Sequence, residues 1–226
     1  MKHKILLAWS GGKDSALALH ETTNCQSLEI VALLTTFTED YDRVTMHGVR
    51  RTLLEQQADS LGLPLEKVFI SRNSSHEEYG LKMQQALERY MALGVSAVVF
   101  GDIFLEDVRK YREDNLSQLG MKATFPLWKQ DTLKLAHHFL DLGFKAIITC
   151  VDSRTMNGEN VGRIFDNDFL SELPSNVDPC GENGEFHTFV FDGPNFRHKI
   201  AFSAGDIVLR DNRFYYCDLI PDQPKE

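Results

Sequence analysis

Lys4-Ile5-Leu6-Leu7-Ala8-Trp9 runs directly into Ser10-Gly11-Gly12-Lys13-Asp14-Ser15. The first stretch reads as a strand buried on both faces, and Ser15 to Thr22 reads as a helix. A glycine turn between a strand and a helix points the helix's first N–H groups into the turn, where they and the helix dipole favour an anion. Two glycines let the backbone come close to that anion. Lys13 adds a cation, and Ser10 and Ser15 add hydroxyl donors. The stretch therefore predicts a strand–loop–helix unit with a phosphate-bearing ligand at the strand's carboxyl end.

Working outward, Leu28 to Thr36 is a second apolar run, and Gly48 to Leu61 carries helical spacing at Val49, Leu53, Leu54, Ala58 and Leu61. Leu65 to Ile70 and Ala97 to Phe100 read as further strands, with a helix from His76 to Leu93 between them. Leu105 to Leu119 and Thr132 to Leu142 read as helices, followed by a strand from Phe144 to Val151. Strand–helix alternation of this kind predicts an α/β fold: a parallel sheet with helices on both faces and ligands at the carboxyl ends of its strands. Beyond residue 152 the texture changes to loops and period-two segments. These are Phe186 to Phe191, Lys199 to Ser203, Asp206 to Arg210 and Phe214 to Leu219, a small C-terminal α+β element. The expected division is a nucleotide-binding domain over 1–130 and a smaller substrate-side domain over 131–226, ending in a frayed tail.

Composition narrows the function. With 226 residues and 42% hydrophobic content the chain can bury a proper core. A net charge of −9 offers no surplus of basic residues for a long nucleic-acid partner. No apolar run reaches the roughly 18 residues of a membrane span. The run Ile5 to Trp9 is too short for a signal peptide's apolar core, so a cytoplasmic location is expected. Cys25, Cys150, Cys180 and Cys217 form no C-x-x-C pair, which argues against a zinc site or a disulfide framework.

Two other phosphate loops are excluded. A P-loop would need glycine at Leu7 and Ser or Thr at Asp14, and no G-x-G-x-x-G is present. Asp14 is informative because a carboxylate beside a triphosphate is repelled unless a metal ion lies between, which suggests Mg²⁺; the alternative is a plain helix cap. A second dense segment is Pro179-Cys180-Gly181-Glu182-Asn183-Gly184-Glu185-Phe186-His187-Thr188. Glu182, Glu185 and His187 there are of a type to orient ammonia, take a proton or hold a metal, or to be solvated groups of a glycine-rich turn.

Ser10-Gly11-Gly12-Lys13-Asp14-Ser15 resembles the S-G-G-x-D-S loop of the PP-loop ATP pyrophosphatases. With Met46-His47-Gly48-Val49-Arg50, Gly101-Asp102-Ile103 and the segment around Glu182, the chain resembles the diphthine–ammonia ligase-like branch of that superfamily. The resemblance implies a five-stranded parallel sheet of the HUP type, with ATP and Mg²⁺ bound. It implies a ligase that adenylates a carboxylate, releases pyrophosphate and transfers ammonia. In members of known activity the carboxylate belongs to diphthine, a modified histidine on a translation elongation factor. The nucleotide set it implies is Ser10, Gly11, Gly12, Lys13, Asp14, Ser15, His47, Arg50, Gly101 and Asp102, with Asp14 on the metal. Lys13, Asp14, Glu182, Glu185 and His187 are the implied catalytic groups.

One departure stands out. The characterised ligases read G-E-G-G-E-Y-E-T, where this chain has Asn183, Phe186 and His187 in place of Gly, Tyr and Glu. A ligase of the same mechanism acting on another small or protein-bound carboxylate is the nearest alternative. A tRNA-modifying enzyme would need a reactive cysteine pair or cluster ligands and a basic surface; a non-catalytic nucleotide-binding module would need neither Asp14 nor the glutamates. Arg109 and Arg112 read as an anion clamp or a solvated face, and Cys180 as a nucleophile to test. Asp152 and Arg154, at the end of a strand, are weaker candidates.

Overall fold

The computed structural model describes residues 2–222; the last part of the expected frayed tail, 223–226, lies outside the described residues. The chain runs β1 (His3–Ala8), α1 (Lys13–Thr23), β2 (Leu28–Thr38), β3 (Arg43–Val44), α2 (Arg51–Leu61), β4 (Leu65–Ile70), α3 (His76–Met91), β5 (Val95–Val99), α4 (Glu106–Gln118) and β6 (Lys122–Thr124). It continues through α5 (Thr132–Asp141), β7 (Lys145–Asp152), β8 (Ile164–Phe165), α6 (Asn167–Ser171), β9 (Phe186–Asp192), β10 (Phe202–Arg210) and β11 (Phe214–Pro221).

Five parallel strands lie in the order β4-β2-β1-β5-β6, and the short β3 adds antiparallel to the end of β2. The order reverses direction at β1, so the loops after β1 and β5 diverge to opposite faces and leave a crevice between them. Side chains of β1 alternate between two cores. Ile5, Leu7 and Trp9 pack with Ala16, Leu17 and Leu19 of α1 and Leu53, Leu54 and Ala58 of α2. Leu6 packs on the other face with Ala86 and Leu87 of α3 and Leu116 of α4. The predicted α/β layering with helices on both faces is observed.

Three details differ from the sequence reading. The fifth parallel strand is β6, only three residues and polar, which no apolar run announces. Phe144 to Val151, expected as one more strand of the alternating series, becomes β7, the centre of a second, antiparallel sheet. There β9 pairs along one edge of β7, β8 and β11 share the other, and β10 lies outside β11. Finally, Lys199 to Ser203 and Asp206 to Arg210, expected as separate segments, are joined: β10 runs from Phe202 through Ala204-Gly205 with a register shift between Ala204 and Ile207.

The two sheets share one core. Phe139, Phe144, Phe165, Phe169, Phe186 and Phe189 from the C-terminal part join Ile5, Leu7 and the α1 and α2 residues in a single cluster. Helix α5 helps to bridge them, starting where the Asp131 side chain accepts from Lys134 N at 2.9 Å and burying Leu135, Ala136 and Phe139.

Candidate active site

The phosphate loop lies at the carboxyl end of β1, and its geometry follows from its glycines. Gly11 has φ +78°, and a Cβ there would stand 2.7 Å from Gln57 Oε1. Gly12 is the N-cap of α1 and has no side chain to cap it. Gly12 N donates to Ser10 Oγ at 3.2 Å, and Ser15 Oγ donates to Gly12 O at 2.8 Å. The N–H groups of Asp14 and Ser15 have no protein partner among the described residues, which leaves the helix start open to an anion.

The free edge of β9 closes on this loop. Val190 N donates to Gly11 O at 2.8 Å, and Lys13 N donates to Thr188 Oγ1 at 3.0 Å. Lys13 Nζ donates to Cys180 O and to both Asp14 oxygens, at 3.0 and 2.8 Å. Behind the loop Gln57, wholly buried, donates through Nε2 to Gly11 O at 3.1 Å and Val190 O at 2.6 Å, while its Oε1 accepts from Trp9 Nε1 at 2.9 Å. Gln57 was not singled out from the sequence. Its only advance signal was a polar residue amid the apolar spacing of its helix.

These elements enclose a cavity of 470 Å³ that draws Ser10, Lys13, Asp14, Ser15, His47, Gly101, Asp102, Glu182 and His187 together, with Thr35, Thr36 and Tyr79 as walls that the sequence did not flag. Gly101 belongs here for a steric reason: a Cβ on it would lie 2.8 Å from the Asp14 carbonyl carbon and oxygen. His47 lies in a turn rather than directly before the helix expected from Gly48. Val44 N donates to Val49 O, and Gly48 N donates to Val44 O, so residues 43–50 form a tight hairpin and α2 begins only at Arg51. That hairpin puts His47 against Gly12 and His187, its ring centroid 4.5 Å from that of His187.

Arg50, Glu185, Arg109, Asp152 and Arg154 stand apart from the cavity, and Gly11 and Gly12 lie behind its wall. Arg50 is held by Asp218 at 3.0 and 2.6 Å, and Arg43 bonds the same carboxylate at 2.8 Å. Glu185 is buried and turned inward, where its Oε1 accepts from Asp178 N at 3.0 Å and Asn183 Nδ2 at 2.9 Å and its Oε2 has no partner among the described residues. Arg109 stacks over Trp128 at 4.6 Å, whereas Arg112 lines the cavity and pairs with Asp102 at 2.5 Å. Asp152 pairs with Arg213. The Cys180 thiol donates to Thr132 O at 3.3 Å, and burial pushes its pKa well up, so it is a thiol and not a thiolate nucleophile. Burial likewise pushes the Cys150 thiol up to about 12.

Electrostatics separate the remaining groups. Burial would discharge Lys13, but Asp14, Cys180 and Glu182 outweigh it and its pKa is raised, so it stays an ammonium. Burial raises the Asp14 carboxyl against the pull of Lys13, with Asp178 and Asp102 adding repulsion. Burial also pushes Glu182 up to about 7, reinforced by Asp14 and only partly offset by the N–H groups of Ile103 and Phe104, which Oε1 accepts at 2.7 and 3.3 Å. It pushes His47 down to about 4, and burial beside His47 and Lys13 takes His187 well below its ordinary value. Both imidazoles are neutral at neutral pH. The site thus offers a fixed cation and open N–H groups for a polyphosphate, a carboxyl that titrates near neutrality, and two neutral imidazoles.

Among the described residues no three His, Cys, Asp or Glu side chains converge on a metal position, and no helix is long and apolar enough to cross a membrane. A magnesium ion is commonly held by one or two carboxylates with phosphate oxygens and water completing the shell. Asp14, crowded by two like charges, fits that donor set.

Comparison with known proteins places the chain. It is similar to the diphthine–ammonia ligase of Schizosaccharomyces pombe, 28% identical over 229 residues, covering 91% of this chain and 37% of the yeast protein. The zebrafish (Danio rerio) diphthine–ammonia ligase is 27% identical over 225 residues, covering 90% of this chain and 88% of that protein, and the human one is 24% identical over 228 residues, covering 88% and 83%. The chain thus spans little more than a third of the yeast relative but most of the vertebrate ones. The model of the diphthamide synthase N-terminal domain matches residues 1–123, that of the diphthamide synthase C-terminal domain matches residues 131–218, and the chain belongs to the diphthamide synthase family.

Proposed function

We infer that this chain is an ATP-dependent, AMP-forming carbon–nitrogen ligase of the diphthine–ammonia ligase type. The observation that carries the reading is the convergence of two distant segments on one cavity. The phosphate loop offers open N–H groups and Lys13, and the Cys180–Thr188 segment brings Glu182 and His187 beside it. Membership of the diphthamide synthase family supports the same reading, as do relatives named for that activity. A boundary near residue 130, between a nucleotide-binding part and a substrate-side part, is likewise proposed; it agrees with the break between the two family matches.

In the proposed reaction the triphosphate lies along the N-terminus of α1, with Lys13 compensating its charge. A carboxylate oxygen of the acceptor attacks the α-phosphorus, the bond from that phosphorus to the bridging oxygen of the β-phosphate breaks, and pyrophosphate leaves with the electron pair. Ammonia then attacks the acyl carbon, and AMP departs with the acyl–phosphate oxygen. The proton that the new amide nitrogen sheds needs an acceptor. Glu182, titrating near 7, is suited to that work, and neutral His187 is the second candidate. Asp14 is the residue that would hold Mg²⁺ against the phosphates, and the ion would supply charge neutralisation there.

His187 favours one variation. The ligase pattern places a glutamate at this position, and here an uncharged ring lies against His47, tilted 36° to it, inside the cavity, so an acceptor other than diphthine is the second reading. Incubation with MgATP, an ammonium salt and either a diphthine-bearing elongation factor or small carboxylates tests both, with AMP and pyrophosphate the expected products. ADP and phosphate would overturn the mechanism. Tight ATP binding without turnover on any carboxylate would leave only a nucleotide-binding module.

A further inference from the structure

Strand β10 lies at the outer edge of the antiparallel sheet and pairs only with β11. No backbone N–H or C=O of Asp206 to Leu209 bonds any element other than β11 among the described residues. An open edge of this kind is a template for one more strand unless charge, proline or a covering element blunts it. The other edges are blunted. β4 and β6 carry Lys67 and Lys122, β3 and β8 are two residues each, and the edge of β9 is taken by the phosphate loop. β10 holds neither lysine nor proline, and it shows three consecutive apolar residues to solvent: Ile207 is 54% exposed, Val208 38% and Leu209 48%.

The charges on this edge say what fits it. Side chains alternate between the two faces of a strand. Asp206, Val208 and Arg210 border one hollow, beside Tyr41 and Asp218, while Ile207 and Leu209 belong to the opposite face. Neighbouring charges are committed: Asp218 holds Arg43 and Arg50, and Asp211 lies 3.6 Å from Arg72. Asp206 and Arg210 have no opposite charge among the described residues, and Arg210 has only the Tyr41 ring, at 5.4 Å. These two charges are opposite in sign, share a face, and stand two positions to either side of Val208. A second copy laid antiparallel about a two-fold axis through Val208 sets Val208 against Val208, Ile207 against Leu209, and Asp206 against Arg210 twice over. A register slipped by two residues loses both ion pairs, and one slipped by four sets like charges face to face. The edge is complementary to itself.

We propose that β10 is the contact through which a second copy of this chain binds, antiparallel and in the register that pairs Asp206 with Arg210 of the other copy. The two C-terminal sheets then form one continuous sheet across the axis. A two-fold contact uses up the edge on both sides, so assembly stops at two copies. The contact stands apart from the nucleotide cavity, whose lining includes no residue of β10.

The test uses the full chain. Sedimentation equilibrium over a dilution series is expected to show monomer and dimer and nothing larger. Asp206→Arg sets arginine against arginine at both pairs, and Arg210→Asp sets aspartate against aspartate. Each variant alone should therefore raise the dimer dissociation constant by about tenfold or more. An equal mixture of the two variants has opposite charges at both pairs again and should dimerise as wild type does. That rescue also shows both variants to be folded. In wild type, amide hydrogen exchange at Ile207 to Leu209 should slow as the concentration rises. A wild type that stays monomeric throughout the series would overturn the proposal, as would a dimer indifferent to both variants. So would a mixture that dimerises no better than its components, which would rule out this register. Species that keep growing with concentration would also overturn it, since they mark a contact that does not close.

Discussion

Replacing Gln57 by leucine removes a side chain whose amide makes three buried hydrogen bonds, to Trp9, Gly11 and Val190. Gly11 O keeps its bond from Val190 N, so the groups left without partners are Trp9 Nε1 and Val190 O. Two buried polar groups orphaned at ~1–3 kcal/mol each put the loss at roughly 2–6 kcal/mol, a large part of the ~5–15 kcal/mol that holds a domain folded. For a chain of this size each kcal/mol lowers Tm by about 2–4 °C, so thermal unfolding should shift by about 10 °C. Because Gly11 and Val190 are the two sides of the junction between loop and β9, ATP affinity, read by isothermal titration calorimetry, should fall by about tenfold or more. Gln57→Glu separates a positioning role from mere filling of space. Its carboxylate keeps an acceptor for Trp9 but faces two carbonyls, so this variant should be worse than leucine at pH 8 and recover as the pH falls and the carboxyl gains a donor proton. A melting temperature within 2 °C of wild type, with unchanged ATP affinity, would refute the reasoning.

Asp14→Asn should abolish AMP formation while leaving the fold intact by circular dichroism; retained turnover would remove the metal role. Glu182→Gln should cut kcat and erase the limb of the pH–rate profile near 7, and a profile that keeps that limb would assign it to another group. The two histidines carry depressed values in the folded state, so the unfolded chain binds their protons first. Their contribution to stability is complete above about pH 6.5 and declines as the pH falls toward 4. Glu182 acts in the opposite sense, gaining stability as the pH falls through 7. His187→Gln should therefore flatten the loss of Tm between pH 6.5 and 4 relative to wild type, and an unchanged slope would refute the burial argument. Asp218→Asn should lower Tm by freeing Arg43 and Arg50, yet leave ATP affinity within twofold; a larger effect on ATP would return Arg50 to the nucleotide.

The parts of the molecule that could be read in advance are those whose cause is local. The run into Trp9, the two glycines and the following helix carry their whole signal between Lys4 and Thr22, and the loop lies where it was expected. Strand direction is not local: an apolar run such as Phe144 to Val151 looks the same in a parallel sheet and in an antiparallel one. Lys122-Ala123-Thr124 is a polar edge strand with no period to detect. At the site, Gln57 is made a buried clamp by β9, 133 positions away. Arg50 is drawn off by Asp218, 168 positions away. Glycine-rich turns leave side-chain direction open, which is why Glu182 and Glu185, three residues apart, end respectively in the cavity and in the interior.

The seam between the loop and β9 bears on how such a protein can be divided or recombined. A segment ending at residue 123 keeps every letter of the phosphate-loop signature and most of the parallel sheet. It loses Cys180 O, Thr188 Oγ1 and Val190, so the first helical N–H would meet only solvent, Lys13 would keep only Asp14 and the Gly11 carbonyl only Gln57. A chimera that joins this N-terminal half to an unrelated C-terminal half should carry the motif without the shape. The two halves form one inheritable unit, and a change on the β9 edge will be felt at the nucleotide as directly as a change in the loop itself.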